Sequence, residues 1–181
     1  MNEKKLTDSE LLLLGLLAEM PRHAYQLEQV IEGRAMREWT QLAFSSIYYV
    51  LAKLEDRGLV RAEEPAGKKA KKRYMLTKAG ERLLEVQTFA ALSDVEPTYS
   101  SLLLGMLHWP VLKRERAIRA LQLRQESLAK EISRIESLRF EQQPVPDHVD
   151  AVFEYSLGQL KTEADWLERM LGYMSSKIWL D

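Results

Sequence analysis

The stretch from residue 45 to residue 84 limits the possible folds most. It contains a helix, two short strands and a further helix, with only short connections between them. Apolar residues spaced i, i+3, i+4 and i+7 predict one buried face on a helix that runs from Ser45 to about Arg57. The residues on this face are Ile47, Val50, Leu51 and Leu54. Gly58 follows and is a natural C-terminal stop, since glycine readily adopts the left-handed conformation that ends many helices.

Two β-prone segments come directly after this helix and predict a β-hairpin. They are Leu59–Glu63 and Arg73–Leu76, and a turn that contains Pro65 and Gly67 joins them. Thr77 then provides the N-cap of a fourth helix, because its hydroxyl can accept a hydrogen bond from a free backbone N–H of the first turn. The hairpin therefore lies between two helices along the chain.

Two more helices precede this segment. The run Thr7-Asp8-Ser9-Glu10 has the spacing of a capping box, in which a threonine hydroxyl and a glutamate carboxylate satisfy free backbone donors at a helix start. The first helix should end near Met20, and a second amphipathic helix should run from about His23 or Ala24 to Gly33. Three helices followed by a hairpin predict a winged helix-turn-helix, whose third helix is the element that enters the major groove of DNA.

The C-terminal half has a different pattern, with long helical runs after Asp94. Its final helix repeats apolar residues three and four positions apart, at Leu157, Leu160, Ala164, Leu167, Leu171, Met174 and Ile178. Such a repeat is typical of a seam that packs against a partner helix. We therefore expect a mainly α-helical protein with two domains. Residues 1–93 should form the winged helix-turn-helix DNA-binding domain with its β-hairpin wing, and residues 94–181 a coiled-coil-like helical dimerisation domain that could also bind an effector.

Five cations are crowded into six residues of the predicted hairpin, at Lys68, Lys69, Lys71, Lys72 and Arg73. The whole chain has a formal net charge of −1, so its overall charge does not indicate nucleic acid. A basic run by itself is more often a solvated loop than a binding site. On a hairpin that follows a three-helix unit, however, the same run predicts a wing whose cations contact the phosphates of double-stranded DNA.

The outer face of the third helix is the predicted reading surface. Hydroxyls and an ammonium group for phosphates and base edges are provided there by Ser45, Ser46, Tyr48, Tyr49 and Lys53. Any amphipathic surface helix has polar residues on its outside, so this face alone is equally consistent with a solvated helix. Its position directly before the basic hairpin favours DNA binding.

The residue types that enzymes and metal sites need are missing or scattered. The three histidines, His23, His108 and His148, lie in unrelated segments, and the chain has no cysteine and no glycine-rich phosphate loop. We therefore expect a protein that is not an enzyme and that has neither a metal nor a cofactor. The absence of cysteine fits a reducing cytoplasm. The apolar run Leu11–Ala18 is far shorter than the ~20 residues of a membrane span, so we expect a cytoplasmic protein without membrane contact.

Four sequence blocks resemble the PadR-type transcriptional regulators in order and spacing. They are Leu14-Gly15-Leu16-Leu17, His23-Ala24-Tyr25-Gln26-Leu27, residues 46–60 and residues 73–80. The family commonly has glycine at position 24, where this chain has alanine. The C-terminal half is similar to the long form of the family, with a weaker match that includes Trp166-Leu167-Glu168. The resemblance implies a homodimeric repressor that binds an operator and leaves it when a ligand binds. We expect the operator to be an inverted repeat.

The resemblance also implies that the C-terminal helices pack against the partner subunit and against its first helix. It therefore adds Leu11 and Leu14 to the predicted dimerisation residues of the seam, which are Leu157, Leu160, Leu167, Leu171, Met174 and Ile178. Trp39, Trp109 and Trp166 could line an aromatic effector pocket. Tryptophans on the apolar faces of helices, however, are more often core or interface residues. One other class of function stays open, a winged helix that holds proteins together without binding DNA. Such a module has no need of five clustered cations.

Overall fold

The structure is a computed structural model that describes residues 5–40, 46–63, 72–95, 97 and 99–176. The chain divides into two compact units, residues 1–96 and residues 97–181. The first unit contains α1 (Asp8–Glu19), β1 (Arg22–His23), α2 (Ala24–Gly33), α3 (Ser46–Asp56), β2 (Val60–Glu63), β3 (Arg73–Leu76) and α4 (Lys78–Ser93). The second unit contains α5 (Ser101–His108), α6 (Arg114–Glu141) and α7 (Asp147–Ser176). The predicted mainly helical, winged fold with C-terminal helices is confirmed.

The three strands form a small antiparallel sheet in the order β1-β3-β2. Val60 pairs with Leu76 and Glu63 with Arg73, so β2 and β3 are the two strands of the predicted hairpin. On the other side of β3, His23 of β1 lies opposite Arg73. The sequence does not predict β1, because two residues are too short to show the alternation of apolar and polar side chains that indicates a strand.

Local signals in the sequence set the ends of the helices as expected. The Glu10 N–H donates to Thr7 Oγ1 at 3.3 Å and the Thr7 N–H donates to Glu10 Oε2 at 2.8 Å, which completes the capping box of α1. Gly58 has a φ of +68°, the left-handed conformation that lets the chain turn sharply after α3. At the start of α4, the Gly80 N–H donates to Thr77 Oγ1 at 3.1 Å.

The core of the first unit lies where α1 packs against α3, α4 and β3. The predicted apolar face of α3 is buried in it, together with side chains from α1 and α2. The members that are almost completely hidden from solvent are Leu13, Leu14, Leu16, Leu27, Ile31, Ile47, Leu51 and Leu54. Burial of this face fixes which side of α3 remains on the surface.

The second unit is built on a long helical hairpin of α6 and α7. The turn at residues 142–146 connects them, as its two prolines predict. Arg139 is 2.6 Å from Asp150 close to this turn, and Arg124 pairs with Glu163 at 2.5 Å farther from it, so the two helices run antiparallel. None of the described helices is both long and apolar enough to cross a membrane.

The predicted seam of α7 is largely covered within its own chain. Leu157, Leu167 and Met174 are buried, and Leu167 and Met174 pack in one cluster with Leu121 and Leu128 of α6. The remaining seam residues that the structure describes are partly buried against the same cluster: Leu160, Ala164 and Leu171. The 3-4 repeat therefore has α6 as a partner helix, and it does not by itself require a second subunit.

Other predicted dimerisation residues have different surroundings. Leu14 is fully buried in the core of the first unit and Leu11 is partly buried beside it. Ile178 lies outside the described residues. Dimerisation through these residues stays a prediction, but α7 has no free apolar seam among its described residues to support it.

Candidate nucleic-acid interface

The outer face of α3 presents two neighbouring tyrosines. Tyr48 and Tyr49 are 61% and 70% exposed, while Ile47 and Leu51 of the same helix are buried in the core. Two adjacent aromatic side chains that project from an anchored helix can reach bases and phosphates of a nucleic acid. Of the other residues predicted here, Ser45 and the side chain of Ser46 lie outside the described part of the chain.

Lys53, which we predicted to contact DNA, is held by a carboxylate of α1. Its Nζ lies 3.0 Å from Glu10 Oε1, and Arg57 NH1 lies 3.0 Å from the same oxygen. Glu10 is only 1% exposed. A buried carboxylate needs paired charges, so these two contacts tie the C-terminal half of α3 to the start of α1. Lys53 therefore serves the packing of α3, and its contact with DNA stays a prediction.

The environment of Glu10 changes the pKa of its carboxyl. Burial raises this pKa, but the Thr7 N–H, Lys53 and Arg57 together lower it by more, so the pKa lies below the usual value of 4.5. Sequence reasoning assigned Glu10 to the capping box alone and did not single out Arg57. The signal that could have found the site is the i,i+4 spacing of Lys53 and Arg57, which places two cations on one side of α3.

The structure describes only the base of the predicted wing. Lys72 and Arg73 are exposed there, whereas Lys68, Lys69 and Lys71 lie outside the described residues. Lys72 Nζ is 3.5 Å from Glu55 Oε2 on α3, so this cation is already partly neutralised. Arg73 is the first residue of β3, and its side chain presents its charge to solvent.

His23 joins the start of α2 to the base of the wing. Its ring Nδ1 lies 3.0 Å from the main-chain carbonyl oxygen of Lys72. The ring stacks on Tyr25 with centroids 5.7 Å apart and an angle of 10° between the planes. The His23 N–H donates to Gln26 Oε1 at 2.9 Å. No local pattern links this histidine to the hairpin, because residue 72 is 49 positions away.

Of the tryptophans predicted for an effector pocket, Trp109 and Trp166 border two different cavities of the second unit. Trp39 lies in the first unit, directly after a 3-10 turn. Trp109 lines a cavity of about 240 Å³ between α5 and α6, together with Met106, Leu121 and Arg124. Trp166 borders a separate depression on α7. Within the described ranges, no group of three or more His, Asp or Glu side chains could hold a metal ion.

The sequence model of the transcriptional regulator PadR-like family matches residues 13–86. These residues are a PadR-like domain. The domain runs from α1 into α4 and therefore includes the tyrosine face of α3, the base of the wing and the contact between His23 and Lys72. The α5–α7 unit follows as a long C-terminal helical extension. No curated protein sequence matches the chain at a significant level.

Solved structures of PadR regulators have a similar fold across both units. Bacillus subtilis PadR in complex with operator DNA is 21% identical, with 91% of this chain and 98% of that chain covered and a TM-score of 0.73. The same regulator in complex with p-coumaric acid is 21% identical, with 92% and 98% covered and a TM-score of 0.75. A PadR-like transcriptional regulator from Bacillus cereus is 18% identical, with 96% and 99% covered and a TM-score of 0.64. At these identities the similarity shows a shared fold.

Proposed function

We propose that the chain is a sequence-specific DNA-binding transcription regulator, a homodimeric repressor that leaves its operator when a small aromatic or apolar effector binds. The observation that carries this proposal is the exposed pair Tyr48 and Tyr49 on α3, beside the basic base of the wing and within a PadR-like domain. The core packing of α3 and its contacts through Glu10 hold these tyrosines on a rigid helix. A rigid helix with polar aromatic groups on its outer face is well suited to read base edges in the major groove.

The wing supplies affinity that does not depend on sequence. Arg73 and the lysines that precede it in the chain can neutralise phosphates and release the counterions condensed on DNA. A dimer with two-fold symmetry presents two reading helices and two wings, so we expect its operator to be an inverted repeat. The fold shared with Bacillus subtilis PadR, whose structure contains operator DNA, supports this arrangement.

The cavity between α5 and α6 is the candidate effector site. Its volume of about 240 Å³ suits a small molecule, and Trp109 provides a flat apolar wall. Arg124 lines the same cavity and uses its Nε for Glu163, which leaves the rest of the guanidinium for an acidic group of a ligand. Bacillus subtilis PadR with bound p-coumaric acid shares this fold and supports an aromatic acid as the ligand class.

The proposal is tested by recovering the genomic DNA fragments that the protein binds and by using the best of them as operator. We expect Tyr49→Ala to weaken operator binding by about 1–3 kcal/mol for each lost base contact, with little change on random DNA. Tyr155→Ala is the matched control, because Tyr155 is an equally exposed tyrosine on α7. An aromatic acid that enters the cavity should quench Trp109 fluorescence and weaken operator binding in the same titration.

Two results would contradict parts of this proposal. Equal losses on operator and random DNA would mean that α3 only positions the protein on the duplex. Failure to recover any DNA, with a folded protein, would favour the alternative of a winged-helix module that binds other proteins.

A further inference from the structure

We propose that His23 is a positioning residue for the wing, and that its ring fixes the strand that leaves the basic loop by donating a hydrogen bond to the Lys72 carbonyl. The inference rests on the proposed function, because the wing matters only if the protein binds DNA. His23 lies in the connection between α1 and α2, far from the hairpin in sequence, and it helps to hold the base of the wing in place.

The chemistry of the contact determines the proton on the ring. A carbonyl oxygen can only accept a hydrogen bond, so Nδ1, at 3.0 Å from the Lys72 oxygen, must be the donor. Nδ1 carries a proton in one neutral tautomer and also in the imidazolium form. His23 can therefore hold the strand without being charged, and it is not required to act as a cation toward DNA.

The ring of His23 is itself held in place. Tyr25 stacks against one side of it, and the Gln26 side chain accepts the hydrogen bond of its backbone N–H. The backbone of His23 also lies opposite Arg73 in the β1–β3 pair. A side chain restricted in this way loses little conformational entropy when it binds the Lys72 carbonyl, so the contact can act as a fixed point for the hairpin.

Lys72 is held from a second direction as well. Its Nζ lies 3.5 Å from Glu55 on α3, so the residue links the α2 side of the domain to the reading helix. This exposed ion pair contributes little by itself, and the His23 hydrogen bond also lies at the surface, so the two contacts hold Lys72 jointly. Together they fix the base of the wing relative to α3.

The consequence for DNA binding follows from the order of residues in the chain. Lys68, Lys69 and Lys71 come immediately before Lys72, so the placement of Lys72 limits where their charges can reach. Without the His23 contact Lys72 is held less firmly, and fixing its position when DNA binds then costs conformational entropy, which lowers the affinity. The number of phosphates neutralised in the complex should stay the same.

The test compares His23→Ala with His23→Asn, since the asparagine side chain also offers an N–H donor. We expect His23→Ala to weaken binding to operator and to random DNA by about tenfold, while the slope of log affinity against log salt stays unchanged. We expect His23→Asn to restore most of the affinity. Gln29→Ala, a neutral change at an exposed position of α2, should bind as the wild type does.

Hydrogen exchange in the free protein gives a reading that does not need DNA. The amides of β3 should exchange faster in His23→Ala than in the wild type or in His23→Asn, with no change in α6 and α7. Faster exchange of β3 in His23→Ala would support the positioning role of His23 even if no DNA binding were found, so the two proposals can fail separately. Unchanged exchange of β3, or faster exchange with unaltered affinity for DNA, would overturn the positioning role. A shallower salt slope in His23→Ala would overturn it too, because His23 would then contact phosphate directly.

Discussion

At the scale of single residues, Glu10 holds two helices of the first unit together. Its Oε2 accepts the Thr7 N–H and completes the cap of α1, while its Oε1 contacts Lys53 of α3 and Arg57, which directly follows α3. Because the carboxylate is almost completely buried, each of these contacts replaces water that the charge has lost. The position of α3 therefore depends on this one side chain as well as on the apolar core.

We expect Glu10→Gln to lower the free energy of unfolding at pH 7 by about 1–2 kcal/mol. The amide keeps an acceptor for the Thr7 N–H but gives up its charge, and the partly exposed cations limit the loss. Urea denaturation followed by circular dichroism measures it. Glu85→Gln makes the same chemical change at an exposed position of α4 and should have little effect. Equal stability of Glu10→Gln and wild type would show that the two ion pairs contribute nothing.

The stability difference between wild type and Glu10→Gln should depend on pH. The folded-state pKa of Glu10 is depressed below its unfolded value near 4.5, so its contribution is fully present above that pH. It should disappear as the pH falls through the lower pKa of the folded state. Denaturation of both proteins from pH 7 to pH 3 tests this, since other carboxyls with lowered pKa values, such as Glu19, cancel in the difference. A difference that does not shrink in acid would contradict the assignment.

At the scale of secondary-structure elements, the pairing of α6 with α7 is the main source of core in the second unit. Leu167 is fully buried against α6, whereas Leu123 of α6 is half exposed. We expect Leu167→Ala to lower the free energy of unfolding by about 2–5 kcal/mol and Leu123→Ala to lower it by much less, because only the former leaves a cavity. Thermal or urea unfolding measures both. Similar losses in the two variants would mean that α7 does not bury its seam on α6.

At the scale of the whole molecule, the exposed side of α5 is better suited than the α7 seam to contact a second copy. It carries Leu103, Leu104 and Leu107, and Leu107 is 73% exposed. Clustered apolar side chains on a surface often indicate a protein interface. We expect sedimentation at twice the chain mass for the wild type and a shift toward the monomer for Leu107→Glu. Phe140→Glu, at an 82% exposed position near the end of α6, is the control and should remain dimeric. A folded wild-type monomer would contradict the dimer.

Short-range signals in the sequence determined the helices and the β2–β3 hairpin and their order, but not β1. The capping box at Thr7, the stop at Gly58 and the cap at Thr77 act within a few residues, so each could be read without knowing the rest of the fold. The apolar period of α3 likewise indicated which side of that helix is buried and that Tyr48 and Tyr49 remain outside.

Only the tertiary structure decided which residues the apolar helix faces and the charged side chains contact. A 3-4 repeat shows that α7 needs a partner helix, but periodicity is the same whether that helix is α6 or belongs to another subunit. Glu10 and Arg57 are 47 residues apart, and His23 and Lys72 are 49 apart. Contacts over such separations depend on how the chain folds back on itself. No local pattern carries that information, because local patterns report the preferences of a segment and not the identity of what packs against it.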